Sequence, residues 1–178
     1  MNDVATALIP PVIKRLKNGT DAIVRPVGPD DARHADAFFR WLSDESKYMR
    51  FMYPVKELTP AIIAGALKQD GLARVALVVE PLHHEPGDLA PAVGIGRYTP
   101  TEEPGVCEVA VTVADPWQGH GVGRVVLERL LELAKRAGYK EMMATAFTAN
   151  HKMIGLARAY GFSVHAEPGG ITTMHRML

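Results

Sequence analysis

Residues 106–124 read Val106-Cys107-Glu108-Val109-Ala110-Val111-Thr112-Val113-Ala114-Asp115-Pro116-Trp117-Gln118-Gly119-His120-Gly121-Val122-Gly123-Arg124. Three signals follow one another within them. Val109, Val111 and Val113 alternate with Glu108, Ala110 and Thr112, the two-residue period of a strand. Pro116 and the glycines at 119, 121 and 123 then interrupt it. From Gly121 to Ala137 the period changes: Val122, Val126, Leu130, Leu133, Ala134 and Ala137 form an apolar stripe at helical spacing. Glu128, Arg129, Glu132, Lys135 and Arg136 are expected on the wet face, and Gly138 is placed to stop the helix.

The first turn of a helix holds several N–H groups without intrahelical partners, together with a partial positive charge. Glycines let the main chain approach a ligand and adopt φ > 0 where needed. The combination is an anion cradle made of backbone amides. The dinucleotide pattern G-x-G-x-x-G would need glycine at 124, where Arg124 stands, and the Gly-Lys-Ser/Thr of a Walker A loop is absent. A plain flexible connector is the alternative; three alternate glycines beside polar Gln118 and Arg124 weigh against it, because glycine costs order.

Outward from this stretch, residues 12–17 and 22–27 read as short strands around the turn Lys17-Asn18-Gly19-Thr20. Asp30 or Asp31 can cap a helix to about Leu42, Ser43 a second through Tyr48 and Phe51, and Thr59-Pro60 opens a third that Gly71 ends. Strands 73–80 and 92–98 flank a polar loop, Pro81–Pro91, with His83-His84. After the long helix come strand 141–147, helix 150–160 and strands 163–166 and 172–177. Early helices followed by mixed elements predict an α/β (α+β) domain. One domain over residues 1–178 is expected, with 1–21 as an N-terminal extension and first strand and 22–178 as the core.

Apolar content of 47% and charged content of 22% are those of an ordinary globular protein. Twenty Lys and Arg balance twenty Asp and Glu, so no basic field is available for a polyanion, which argues against nucleic acid. Cys107 is the lone cysteine, and nothing near it has metal-ligand spacing. Residues 1–11 lack the basic start and long apolar stretch of a leader, and no run approaches the ~20 apolar residues of a membrane helix. A cytoplasmic protein without metal, membrane or nucleic-acid partner is the expectation.

Gln118-Gly119-His120-Gly121-Val122-Gly123 resembles the Q/R-x-x-G-x-G/A signature of the GNAT superfamily of N-acetyltransferases. Cys107–Val113, and Asn150 with Tyr160-Gly161-Phe162, are similar to that family's fourth strand and its asparagine…glycine-phenylalanine helix. The likeness spans roughly residues 22–178. It points to the bacterial protein-lysine acetyltransferase domains through Ile23-Val24-Arg25-Pro26, residues 42–51 and Cys107-Glu108-Val109-Ala110. The resemblance implies a mixed, mostly antiparallel twisted sheet with splayed central strands and flanking helices. It also implies acetyl-CoA as cosubstrate, its pantetheine between the splayed strands beside main-chain groups of Val111 and Val113. Amides of Gln118, Gly119, His120, Gly121, Val122, Gly123 and Arg124 would hold the pyrophosphate. Asn150 would touch the pantetheine arm, a role compatible with a plain helix N-cap.

A lysine ammonium has a pKa near ~10.4, so an amine acceptor must lose a proton before it attacks a thioester. Glu108, the one acid within its strand, is the candidate base, and the lysine-acetyltransferase branch carries its proposed catalytic glutamate there. Partial burial would suit it to that work; a solvent-facing strand residue is the plain alternative. A backbone amide, at Val111, would meet the oxyanion. Many relatives place a tyrosine four residues before the glycine of Gly-Phe; here that position is Ala157, and Tyr160 is expected to pack in the core. His120 is read either as a donor near phosphate or as an exposed loop residue, and Trp117 as packing the turn. Tyr48, Arg50, Phe51 and Tyr53 are read as bordering the acceptor or as core, Asp44 and Glu45 as receiving a cation or as a solvated helix start. The expected partners are acyl-CoA, an amine (protein lysine foremost) and optionally a second copy in a homodimer. A small-amine acetyltransferase and a non-catalytic acyl-CoA sensor are the competing functions.

Overall fold

The computed structural model describes residues 8–83 and 92–178; residues 1–7 and 84–91, with His84 among them, lie outside the described residues. The strands are β1 (Val12–Arg15), β2 (Asp21–Pro26), β3 (Val75–Pro81), β4 (Gly94–Pro100), β5 (Val106–Val113), β6 (Glu141–Phe147), β7 (Ser163–Glu167) and β8 (Ile171–Met177). They form a single sheet in the order β1-β2-β3-β4-β5-β6-β8-β7. Only β5 and β6 run parallel. The helices are α1 (Ala35–Arg40), α2 (Asp44–Phe51), α3 (Pro60–Leu67), α4 (Val122–Arg136) and α5 (His151–Ala159). This is the mixed, mostly antiparallel sheet with flanking helices that the family resemblance implies.

Alternation along β3 sends its side chains into two cores. Val75, Leu77 and Val79 join Val122, Val126, Leu130 and Ala134 of α4, while Ala76 and Val78 join Phe38, Phe39 and Leu42 around α1. Helix α4 lies close on β4 because β4 offers glycine beneath it. A Cβ at Gly94 would fall 2.4 Å from Val122 Cγ1, and one at Gly96 2.7 Å from Val126 Cγ2. Contacts that short are impossible, so these two glycines set the helix height over the sheet.

Several boundaries differ from the sequence reading. The segment after Gly28 opens as a 3-10 turn, Pro29–His34, before α1 begins. Asp31 caps this turn from its third position, accepting from the Gly28 amide at 2.5 Å, and also accepts two hydrogen bonds from Arg25, at 2.7 and 2.8 Å, while Arg25 reaches Glu80 as well. Helix α3 ends at Leu67, because Lys68 turns extended before Gly71 is reached. Arg129 is buried rather than on the wet face of α4, donating to Glu132 at 2.7 Å and to the Pro10 carbonyl at 3.2 Å. The N-terminal segment thus covers that side of the helix. Ser43 and Thr59 cap α2 and α3 as expected, accepting from Ser46 and Ile62 amides.

Candidate active site

Strands β5 and β6 pair only at Val106–Glu141, Cys107–Met142 and Glu108–Met143, and then separate. The Ala114 amide donates to Val93 and the Val106 carbonyl accepts from Thr101, so even-numbered main-chain groups of β5 face β4. Odd-numbered ones therefore face the opening toward β6. The Val109 carbonyl and the main chain of Val111 and Val113 lie there, beyond the last paired residue. The Val113 carbonyl accepts from Gln118 Nε2 at 3.2 Å. The gap is part of a groove of about 780 Å³ that also runs past α2, the 118–124 turn and the start of α5.

At one end lies the glycine turn. Among the described residues, no backbone or side-chain acceptor takes the amides of Gly119, His120, Gly121, Val122, Gly123 or Arg124; the first bond of the helix runs from Val125 to Gly121. The Gln118 amide, by contrast, donates to the Asp115 carbonyl at 3.2 Å. Gly119 and Gly121 have φ of 78° and 94°, the left-handed region that favours glycine. The missing side chain of Gly121 makes room for protein. A Cβ there would sit 3.3 Å from the Lys17 nitrogen and 3.2 Å from its Cγ, and the Lys17 amide donates to the His120 carbonyl at 2.9 Å. The β1–β2 hairpin is thereby tied to the turn.

Gln118 is the hub that fixes the turn against its surroundings. Its Nε2 lies 3.2 Å from Ser46 Oγ, Val113 O and Asp115 Oδ1, and its Oε1 accepts from Lys152 at 2.5 Å. Helix α2, strand β5 and helix α5 meet through one side chain.

At the other end stand Glu108 of β5, Arg97 and Thr99 of β4, and Met49, Arg50 and Met52 at the end of α2. Register puts Thr99 opposite Glu108 and Arg97 opposite Ala110, so Arg97 and Glu108 are diagonal neighbours on one sheet face. Glu108 is exposed, not partly buried. Burial, reinforced by Arg97, lowers Arg50 to about 10, with Glu108 and Tyr53 acting in the opposite direction. Cys107, adjacent in sequence, points the other way into the core, where burial pushes its thiol up to about 12. A thiol held protonated is a poor nucleophile, so Cys107 is unsuited to carry an acyl group.

Residues 22–163 match the model of the acetyltransferase (GNAT) domain. The chain belongs to the GNAT acetyltransferase family. An acetyltransferase of Pseudomonas aeruginosa is 34% identical over 169 residues, which are 93% of this chain and 88% of that protein. The GNAT domain of Streptomyces lividans PAT superposes with a TM-score of 0.83 at 29% identity, covering 94% of this chain and 97% of that one. A putative acetyltransferase from Salmonella typhimurium, solved with acetyl-CoA, shares the fold at 21% identity and a TM-score of 0.69, covering 88% and 94%. As a GNAT acetyltransferase the chain is an enzyme of acyl transfer.

Within this GNAT domain, Glu108, Val111, Val113, Gln118, Gly119, Gly121, Val122, Gly123, Arg124 and Asn150 all line the one groove. His120 does not. Its ring bonds back to the Gln118 carbonyl at 2.9 Å and packs edge-on against Trp117, so only its main chain faces the turn's open side. Asn150 caps α5, its side chain accepting from Met153 at 3.1 Å, and borders the groove as well. Ala157 is buried, and Tyr160 packs against the main core. No tyrosine is among the described residues that line the groove. Tyr48 stacks on Phe147 at 5.0 Å instead. Lys17, Arg97 and Lys152 border the groove without having been singled out from the sequence. Arg97 had a readable signal: if Gly94 and Gly96 lie under a helix, Ile95, Arg97 and Thr99 take the other face.

Proposed function

We propose that the chain transfers an acetyl group from acetyl-CoA to a primary amine, foremost a lysine side chain of a protein, with Glu108 as general base. The observation that carries this reading is the run of unclaimed amides from Gly119 to Arg124, opening into the same groove that Glu108 borders at its far end. Six donors with no protein acceptor at a helix N-terminus suit a diphosphate. Gln118 contributes its side chain to the frame of that cradle rather than its amide. The free carbonyl of Val109 and the unpaired main chain of Val111 suit the amide groups of a pantetheine arm laid along β5.

Acetyl-CoA supplies the activated acyl group. Glu108 takes a proton from the attacking amine, and the Val111 N–H, facing the gap, meets the negative charge that forms on the carbonyl oxygen. Direct attack is favoured over a relay through cysteine, given the protonated, buried thiol of Cys107. With Ala157 where many relatives have tyrosine, the leaving thiolate takes its proton from water. A protein acceptor is favoured over a polyamine because Lys17, Arg50, Arg97, Arg124 and Lys152 border the groove against Glu45, Glu108 and Asp115. A site for a polycation would reverse that balance.

The deciding experiment incubates the protein with acetyl-CoA and a panel of amines and lysine peptides and follows free thiol. Acceptor-dependent release is expected. Tight acetyl-CoA binding with no release from any acceptor would favour a sensor and end the enzymatic reading of this site.

A further inference from the structure

Arg50 and Arg97 border the acceptor end of the groove, and among the described residues neither forms a salt bridge. Both are held in place by contacts that leave the charge unneutralised. Arg97 donates Nη1 to the Gly65 carbonyl at 3.1 Å. That carbonyl belongs to the last turn of α3, where carbonyls lack helical partners and a cation is favoured. The Arg50 guanidinium lies 5.4 Å from the Phe51 ring centroid. Directly after it the chain bends through Met52, whose φ of 61° makes it the one non-glycine residue with positive φ among the described residues. Met52 also borders the groove, so an uncommon backbone conformation sits at this wall.

The formal charges that bear most on Arg50 are Arg97 and Glu108. Glu45 borders the groove too, five residues earlier on α2, but is not among them. An ammonium arriving alone beside Glu108 therefore meets two fixed guanidinium groups and one carboxylate. Arginine's planar fork is suited to gripping a carboxylate through two parallel hydrogen bonds.

We propose that the acceptor amine carries a carboxylate close beside it, which Arg50 and Arg97 hold while the amine faces Glu108. The proposal rests on the N-acetyltransferase reading and narrows its substrate class. Two sources supply the same chemistry: an acidic residue flanking a lysine in a protein, or the carboxylate of a free amino acid.

The test compares kcat/KM, by thiol release with acetyl-CoA, for one lysine peptide carrying Glu, Gln or Arg beside the lysine, and for free lysine against lysinamide. The Glu peptide should exceed the Gln peptide by about tenfold, the scale of one well-placed charge pair, with the Arg peptide lowest. A matching preference for lysine over lysinamide would assign the carboxylate to a free amino acid; one confined to the peptides would assign it to protein. In Arg50→Gln and Arg97→Gln the preference should shrink to near unity, and Arg50→Lys should retain part of it. Equal rates with the three peptides and the two small amines would overturn the proposal while leaving the acetyltransferase intact. So would a preference that survives both variants, or an arginine-dependent preference for succinyl-CoA over acetyl-CoA without acceptor preference. No thiol release from any acceptor would instead overturn the enzymatic reading, and the substrate class with it.

Discussion

The two ends of the groove are made of different material. The cradle at 118–124 is main chain: its donors are N–H groups, and its one busy side chain, Gln118, faces back into the protein. The acceptor end is side chain, brought together from α2, β4 and β5, with Glu108, Arg50 and Arg97 carrying formal charge. Backbone donors are fixed by local geometry and tolerate side-chain variation. Side-chain charges depend on three elements staying in register. The cradle should therefore fail through backbone changes and the acceptor end through charge changes.

The largest effect is expected at the acceptor end. Glu108→Gln keeps size but removes the proposed proton acceptor, so turnover should fall by about 10²–10⁴. Its acetyl-CoA affinity, measured by titration calorimetry, should stay within a few-fold of the parent. An unchanged pH–rate profile in this variant would remove Glu108 as the base.

At the cradle, Gly121→Val should damage binding and stability together. The residue has φ of 94° and no space toward Lys17. A branched side chain there costs roughly 1–2 kcal/mol for the left-handed backbone alone. It also presses on Lys17, whose amide donates to the His120 carbonyl. A melting temperature several degrees lower, with acetyl-CoA affinity reduced about tenfold or more, is expected. Normal affinity in a destabilised variant would show that the hairpin and the cradle are not coupled.

Much of this architecture was legible in residues 106–124, for a physical reason. Strand period, glycine turn and helical stripe are local properties, and the unclaimed amides follow from where the helix starts. The capping roles of Ser43, Thr59 and Asn150 were legible on the same grounds. What stayed hidden depends on distant partners. Lys17 reaches the turn from about a hundred residues earlier, and the buried Arg129 donates to the carbonyl of Pro10, distant in sequence. Arg25, held also by Glu80, reaches Asp31 from another element, so a residue that caps a turn serves an ion cluster as well. The exposure of Glu108, which the sequence left open, likewise follows from which elements leave that face of β5 uncovered.

A smaller effect is expected for Gln118→Ala, which tests whether the hub merely frames the cradle. It removes side-chain bonds to Ser46, Val113, Asp115 and Lys152 but no cradle amide. Destabilisation of about 1–2 kcal/mol is expected, as for a partly buried polar network. The KM for acetyl-CoA should rise a few-fold with kcat little changed. A loss of kcat as large as that of Glu108→Gln would contradict the division between the two ends.

The smallest effect on turnover should come from a charge cluster outside the groove, Arg25 with Asp31 and Glu80. Burial pushes the Asp31 carboxyl up, but hydrogen bonds from Arg25 and from the Gly28 amide outweigh it and hold it below the usual carboxylate range. A carboxyl lowered in the folded state contributes stability that is complete above its unfolded pKa, about 3.9, and is lost as pH falls through the folded value. Asp31→Asn should therefore be less stable at pH 7, by roughly 1–3 kcal/mol, and the gap between parent and variant should narrow below about pH 4. Kinetic constants at pH 7 and 25 °C should match the parent, because neither end of the groove touches this cluster. A gap in unfolding free energy that stays constant down to pH 2 would mean the carboxylate charge is not what Arg25 contributes to the fold.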